Sequence, residues 1–105
     1  MISDNRVEQA MRYLSETDLP AAEAKSKVKA LEQYGKTVKA LGFLEVQGTV
    51  AERDHLSLTT KEYDKYRDDY EKAVLESEHF ANKRATEAGV REVWRSLQAN
   101  RRQGA

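Results

Sequence analysis

The chain of 105 residues carries 18 Lys and Arg against 18 Asp and Glu, so its formal net charge is zero although 34% of it is charged. One domain is expected at this length. Ala, Glu, Lys, Leu and Arg supply 52 residues, about half the chain and the composition of long helices and coiled coils, whereas Leu, Ile, Val and Phe supply only 20. These numbers argue against a compact enzyme with a large buried core and against a uniformly basic nucleic-acid binder. The absence of Cys excludes a disulfide framework and a thiolate metal site. No apolar run is long enough to span a membrane. The opening Met1-Ile2-Ser3-Asp4-Asn5-Arg6 lacks the pattern of a signal peptide, so the expected compartment is the cytoplasm.

The first helix is expected over about residues 4–15. Ser3 suits its N-cap and Asp4 the positive end of its dipole. Val7, Ala10, Met11 and Leu14 make one narrow apolar stripe. Glu16-Thr17-Asp18-Leu19-Pro20 then reads as a boundary, with Asp18 capping a second helix and Pro20 in its first turn.

That second helix is expected over about residues 19–46. Ala21, Ala24, Val28, Leu31, Gly35, Val38 and Gly42 step by three and four, a heptad seam. Tyr34, Leu41 and Leu44 form a second apolar row. Gly35 and Gly42 each weaken a helix by about 1 kcal/mol relative to Ala. On a seam they either admit a close neighbour or are simply tolerated.

Gly48 reads as a helix stop and Thr49-Val50-Ala51-Glu52 as a capping box, with a second such signature at Thr59-Thr60-Lys61-Glu62. Residues 48–59 are therefore expected to turn the chain, or else to kink one longer helix. The third helix is expected over about residues 60–99, about 60 Å long at 1.5 Å per residue. Tyr63, Tyr66, Tyr70, Ala73 and Val74 open its apolar side, followed by Phe80, Ala81, Ala85 and Ala88, then Val90, Val93, Trp94 and Leu97. The apolar phase shifts near Gly89, where a bend or close contact is expected, and Asn100 is the expected stop.

The zero charge is a cancellation. Residues 1–18 carry −2, 19–44 carry +3, 45–60 carry −2, 61–78 carry −3 and 79–105 carry +4. In an antiparallel hairpin the basic second helix would lie beside the acidic half of the third, with ion pairs setting register.

Glu52-Arg53-Asp54-His55 and Glu76-Ser77-Glu78-His79 have the Glu-x-x-His spacing of ferritin-like metal sites. His55 falls in the expected link and His79 half-way along the third helix, so the two motifs should not meet, and solvated histidines and no metal or other cofactor are expected. The stripe of Tyr63, Tyr66 and Tyr70 has the form of a base-stacking platform, but the carboxylates of Asp64, Asp68, Asp69 and Glu71 favour seam packing instead. The basic end, with Lys83, Arg84, Arg91, Arg95, Arg101 and Arg102 around Trp94, is the candidate nucleic-acid-binding surface. Arg84, Arg91 and Arg95 share a helix face by their spacing. No nucleophile–base arrangement or phosphate loop is visible, so no catalytic residue is assigned.

Arg12-Tyr13-Leu14, the run from Asp18 to Lys25, Lys83-Arg84-Ala85-Thr86 and the run from Glu92 to Arg102 together resemble a group of small phage and prophage proteins. Members of that group tend to be encoded near recombination or replication genes. The resemblance implies a bacterial or phage accessory protein and supplies no catalytic or binding residues.

The expected fold is all-α: a long antiparallel, coiled-coil-like hairpin with a short N-terminal helix packed at its open end beside Val90, Trp94 and Leu97. Such a hairpin leaves Tyr34, Leu41, Leu44 and Phe80 without partners, so a homodimer is expected, with no membrane association. The expected function is non-enzymatic protein–protein interaction. Accessory DNA or single-strand binding through the basic end is the alternative.

Overall fold

A computed structural model describes residues 1–104. They form three helices, α1 (Asp4–Glu45), α2 (Val50–Leu56) and α3 (Lys61–Gly104), and the described residues contain no strand. The all-α expectation holds, but the boundaries differ. Residues 4–15 are not a separate short helix: α1 runs through the expected boundary with Pro20 inside it. The short helix of the fold is α2, in the link. At the other end Asn100 does not stop α3, which continues to Gly104.

The heptad explains why α1 is continuous. Val7, Ala10, Leu14, Thr17, Ala21, Ala24, Val28, Leu31, Gly35, Val38 and Gly42 are all buried or half-buried and step by three and four without a break. The stripes assigned to two helices are one stripe in one phase. Pro20 lies off it, on the exposed side, where the carbonyl of Glu16, deprived of its i+4 donor, can be hydrated.

The chain divides into two compact units, Glu23–Ser77 and Met1–Ala22 together with the described chain from Glu78 onward. In each unit a segment of α1 pairs with a segment of α3. In the first-named unit Glu32 meets Tyr70, Gly35 meets Tyr66 and Gly42 meets Ser57 and Thr60. In the other, Asp4 meets Trp94, Arg6 meets Glu87 and Leu14 meets Arg84. One number falls as the other rises, so each pairing is antiparallel.

Within Glu23–Ser77 the seam is built from small residues under a tyrosine ladder. Ala24, Val38 and Ala73 are buried. A Cβ on Gly35 would collide with the ring of Tyr66, so the missing side chain is what lets that ring lie on the α1 backbone. Tyr66 stacks against Tyr70 at 6.0 Å, tilts against Tyr63 at 5.7 Å and meets Tyr34 edge-on at 6.3 Å. At Gly42 a Cβ would stand 3.1 Å from the carbonyl oxygen of Ser57. Both seam glycines therefore admit close neighbours. Gly89 has no atom within 4 Å of its Cβ position, and α3 continues through it, so it marks no close contact.

The link follows its capping signals. Gly48 takes φ +133°, the left-handed region glycine favours. Thr49 accepts from the Glu52 N–H while the Glu52 carboxylate accepts from the Thr49 N–H, completing the expected box. At α3 the cap is Thr60, whose hydroxyl accepts from the Tyr63 N–H, one residue later than the Thr59 signature. Arg53 lies 4.3 Å over the Phe43 ring and donates to the Phe43 carbonyl, fastening α2 to α1. Among the described residues of this unit, no ion pair joins α1 to α3. Lys39 pairs with Asp54 of α2, and Glu32 accepts from the Tyr70 hydroxyl. The tyrosines, not ion pairs, make the register-specific contacts expected of opposite charges.

Candidate functional site: the basic end and the outer face of the first helix

In α3 buried or half-buried residues recur from Tyr63 at three and four, through Tyr66, Tyr70, Ala73, Ser77, Phe80, Arg84, Glu87, Arg91, Trp94 and Gln98, with Val74, Ala88, Val90, Leu97 and Ala99 half-buried beside that row. The phase does not shift near Gly89. The seam turns polar at Arg84, Glu87 and Arg91, while Ala81 and Ala85 face solvent. An apolar-only reading loses the repeat there because three consecutive seam positions carry charge.

That polar stretch organises the unit containing the N-terminus. Glu87 is buried with its side chain 8% exposed, and Arg6 reaches it at 2.5 Å. Val7 and Ala10 are buried in the same unit. Arg84 donates to the Leu14 carbonyl at 2.8 Å and the Thr17 hydroxyl at 2.6 Å, with the Asp18 carboxylate at 3.5 Å. The Lys83 ammonium stands 5.0 Å from the centre of the Tyr13 ring. The Trp94 indole N–H donates to Asp4 at 3.0 Å, placing the start of α1 beside Trp94 as expected. Segments distant in the sequence thus meet here: Tyr13 with Lys83, and Leu14 and Asp18 with Arg84.

The six basic candidates consequently have different surroundings. Arg84 is committed to α1. Arg91 and Arg95 share the Glu92 carboxylate at 3.6 and 3.2 Å, and the buried Nε of Arg91 has no partner. Arg101 reaches the Met1 sulfur at 3.4 Å. Arg95 and Arg102 line an open surface groove with Glu92, Trp94 and Gln98. The face shared by Arg84 and Arg91 is the seam itself.

The self-association candidates also separate. Phe80 is half-buried at a seam position of α3. Tyr34, Leu41 and Leu44 are 56%, 55% and 71% exposed. Tyr34 and Leu41 border a groove with Val38, Gly42, Glu45, Thr60 and Glu62. Sequence reasoning singled out these three apolar residues but missed the uncharged ones beside them on the same face. Ala30, Gln33, Thr37 and Ala40 are exposed too, and the helical period of three and four was the available signal.

The chemistry of ionisable groups is modest. Tyr66 holds its proton above the ordinary tyrosine range because of burial, then the neighbouring Tyr63 and Glu32. Tyr70 is shifted the same way, first by its hydrogen bond to Glu32. Among the described residues no three His, Asp or Glu side chains converge to hold a metal ion, so neither Glu-x-x-His motif gathers a ligand set. Among the described residues no helix is long and apolar enough to cross a membrane. Compared with known protein families, curated proteins and solved structures, the chain matches none.

Proposed function

We propose that this chain is a non-enzymatic helical interaction protein of the phage and prophage kind its sequence resembles, working in the cytoplasm through protein–protein contacts and self-association as a dimer. The observation that supports this reading is the row of Tyr34, Leu41 and Leu44, more than half exposed after the seam of their own unit is filled. Apolar side chains grouped on one outer helix face gain by being covered, and such groups mark interaction surfaces. The ionisable side chains that do converge, Arg6 with Glu87 and Arg84 with Asp18, join α1 to α3 and have a structural use. Sedimentation equilibrium across micromolar concentrations tests the reading. A mass that rises above the monomer with concentration supports it, and a monomer throughout contradicts self-association.

A second reading, accessory DNA or single-strand binding, draws on the open groove where Arg95 and Arg102 stand beside Trp94. Two guanidinium groups next to an indole, that of Arg95 paired with Glu92 at 3.2 Å, suit a phosphate and a stacked base. A filter-binding salt titration decides it: binding that falls steeply with salt supports it, and no binding at low salt removes it.

A further inference from the structure

The outer face of α1 between residues 30 and 44 carries no charge. Ala30, Gln33, Tyr34, Thr37, Ala40, Leu41 and Leu44 recur at the helical spacing of three and four, and all seven are exposed. This occurs in a chain one-third of whose residues are charged. Lys29, Lys36 and Lys39 flank this face, Lys36 and Lys39 sharing a groove with Ala40, Phe43 and Leu44 and Lys39 pairing with Asp54 of α2, while Glu32 is turned toward Tyr70 of α3. An exposed helix face of about 21 Å whose central row carries no charge suits helix docking, because the polar groups of that row that it would desolvate are neutral ones.

The ends of the face indicate its occupant. Lys27 continues the row at its N-terminal end. Glu45 closes the other end, and Glu62 of α3 lines the same groove as Glu45, Tyr34 and Leu41. One end is thus basic and the other acidic, with neutral side chains between. Glu23 lies one turn beyond Lys27. Two copies laid antiparallel on this face bring Lys27 of each to Glu45 of the other. Two copies laid parallel put Lys27 on Lys27 and Glu45 on Glu45.

Resting on the self-association reading above, we infer that the uncharged 30–44 face of α1 docks on the same face of a second copy, antiparallel, about a two-fold axis passing between Tyr34 and Thr37. In this register Tyr34 packs against Thr37 of the other copy and Ala30 against Leu41. The aliphatic stem of Lys27 covers Leu44. Two-fold symmetry makes the contact isologous and closes it at a dimer. A single helix face is a small interface, so the dimer is reversible and concentration-dependent.

The chain has no Cys, so introduced thiols report on this contact alone. Ala30→Cys mixed with Leu41→Cys is expected to be captured as a dimer by a short bis-maleimide. Ala30→Cys alone is expected not to be, because its two copies stand about 16 Å apart along the axis. Leu41→Lys is expected to abolish the dimer in sedimentation equilibrium, while Leu75→Ser, at another exposed apolar residue, leaves it unchanged. Helical circular dichroism of each variant confirms that it is folded. Capture of Ala30→Cys alone, without the mixed pair, overturns the antiparallel arrangement. A dimer indifferent to Leu41→Lys and captured by neither thiol set overturns this face but leaves self-association standing. A folded monomer at every concentration overturns both.

Discussion

Arg6 and Glu87 show how much one polar pair decides in a chain with few large apolar residues. Glu87 occupies a seam position and is buried, and Arg6 answers it from α1. Arg6→Met is expected to destabilise the protein by about 1–3 kcal/mol, because the carboxylate stays buried without its partner. Adding Glu87→Leu should restore most of that loss, since an apolar pair of similar volume replaces a buried ion pair at little cost. Urea unfolding of the two single variants and the double gives the coupling; additive losses would contradict it. The glycines make an opposed pair. Gly35→Ala gains helix propensity but drives a methyl into the clamped ring of Tyr66, so a net loss of about 1–3 kcal/mol is expected. Gly89→Ala meets nothing and should stabilise by up to about 1 kcal/mol. Thermal melts that rank the two variants in the reverse order would refute this account.

At the scale of elements, the unbroken α1 is the chief difference from a local reading of the sequence. Capping preference and Pro20 both argue for a break, each on the evidence of a few residues. The heptad spans eleven seam positions from Val7 to Gly42, and burying that stripe outweighs one missing hydrogen bond. Pro20→Ala should therefore raise stability by about 1–3 kcal/mol: about 3 kcal/mol of helix propensity, less the stiffening that proline gives the unfolded chain. An unchanged or lower denaturation midpoint would mean that Pro20 suits its site better than an unstrained helix does. In α3 the difficulty was the opposite one. Helical type was plain from composition, but the apolar phase drifted because Arg84, Glu87 and Arg91 hold seam positions that hydrophobicity cannot reveal.

For the molecule as a whole, a net charge of zero leaves local fields and local titrations to set its behaviour. Tyr66 and Tyr70 both keep their protons above the ordinary value of 10.0. The folded state thus binds these protons more tightly than the unfolded chain. Their contribution is fully present below pH 10 and is lost as pH rises through the folded values. Urea midpoints compared at about pH 8 and about pH 10.5 should fall at the higher pH, and Tyr70→Phe should shrink the fall. A midpoint equally insensitive to pH in both proteins would contradict the Glu32 hydrogen bond as the cause at Tyr70. The candidate surfaces divide along similar lines. The basic end was legible as a cluster, but Arg84 proved to be bound to Leu14, Thr17 and Asp18, contacts some 70 residues apart that no local pattern contains.

The sequence by itself determined the helical class, the capped link at Gly48 and Thr49, the heptad from Ala21 to Gly42 and the apolar row at Tyr34, Leu41 and Leu44. Each of these depends on neighbours within a turn or two, where spacing and propensity act directly. Only the tertiary structure decided that Pro20 is tolerated, that Gly35 and Gly42 receive Tyr66 and Ser57, and that Arg84 and Glu87 are seam residues. It also decided that the whole face from Ala30 to Leu44 remains uncovered. Those outcomes depend on which side of one helix another occupies, a relation that arises only when distant segments pack.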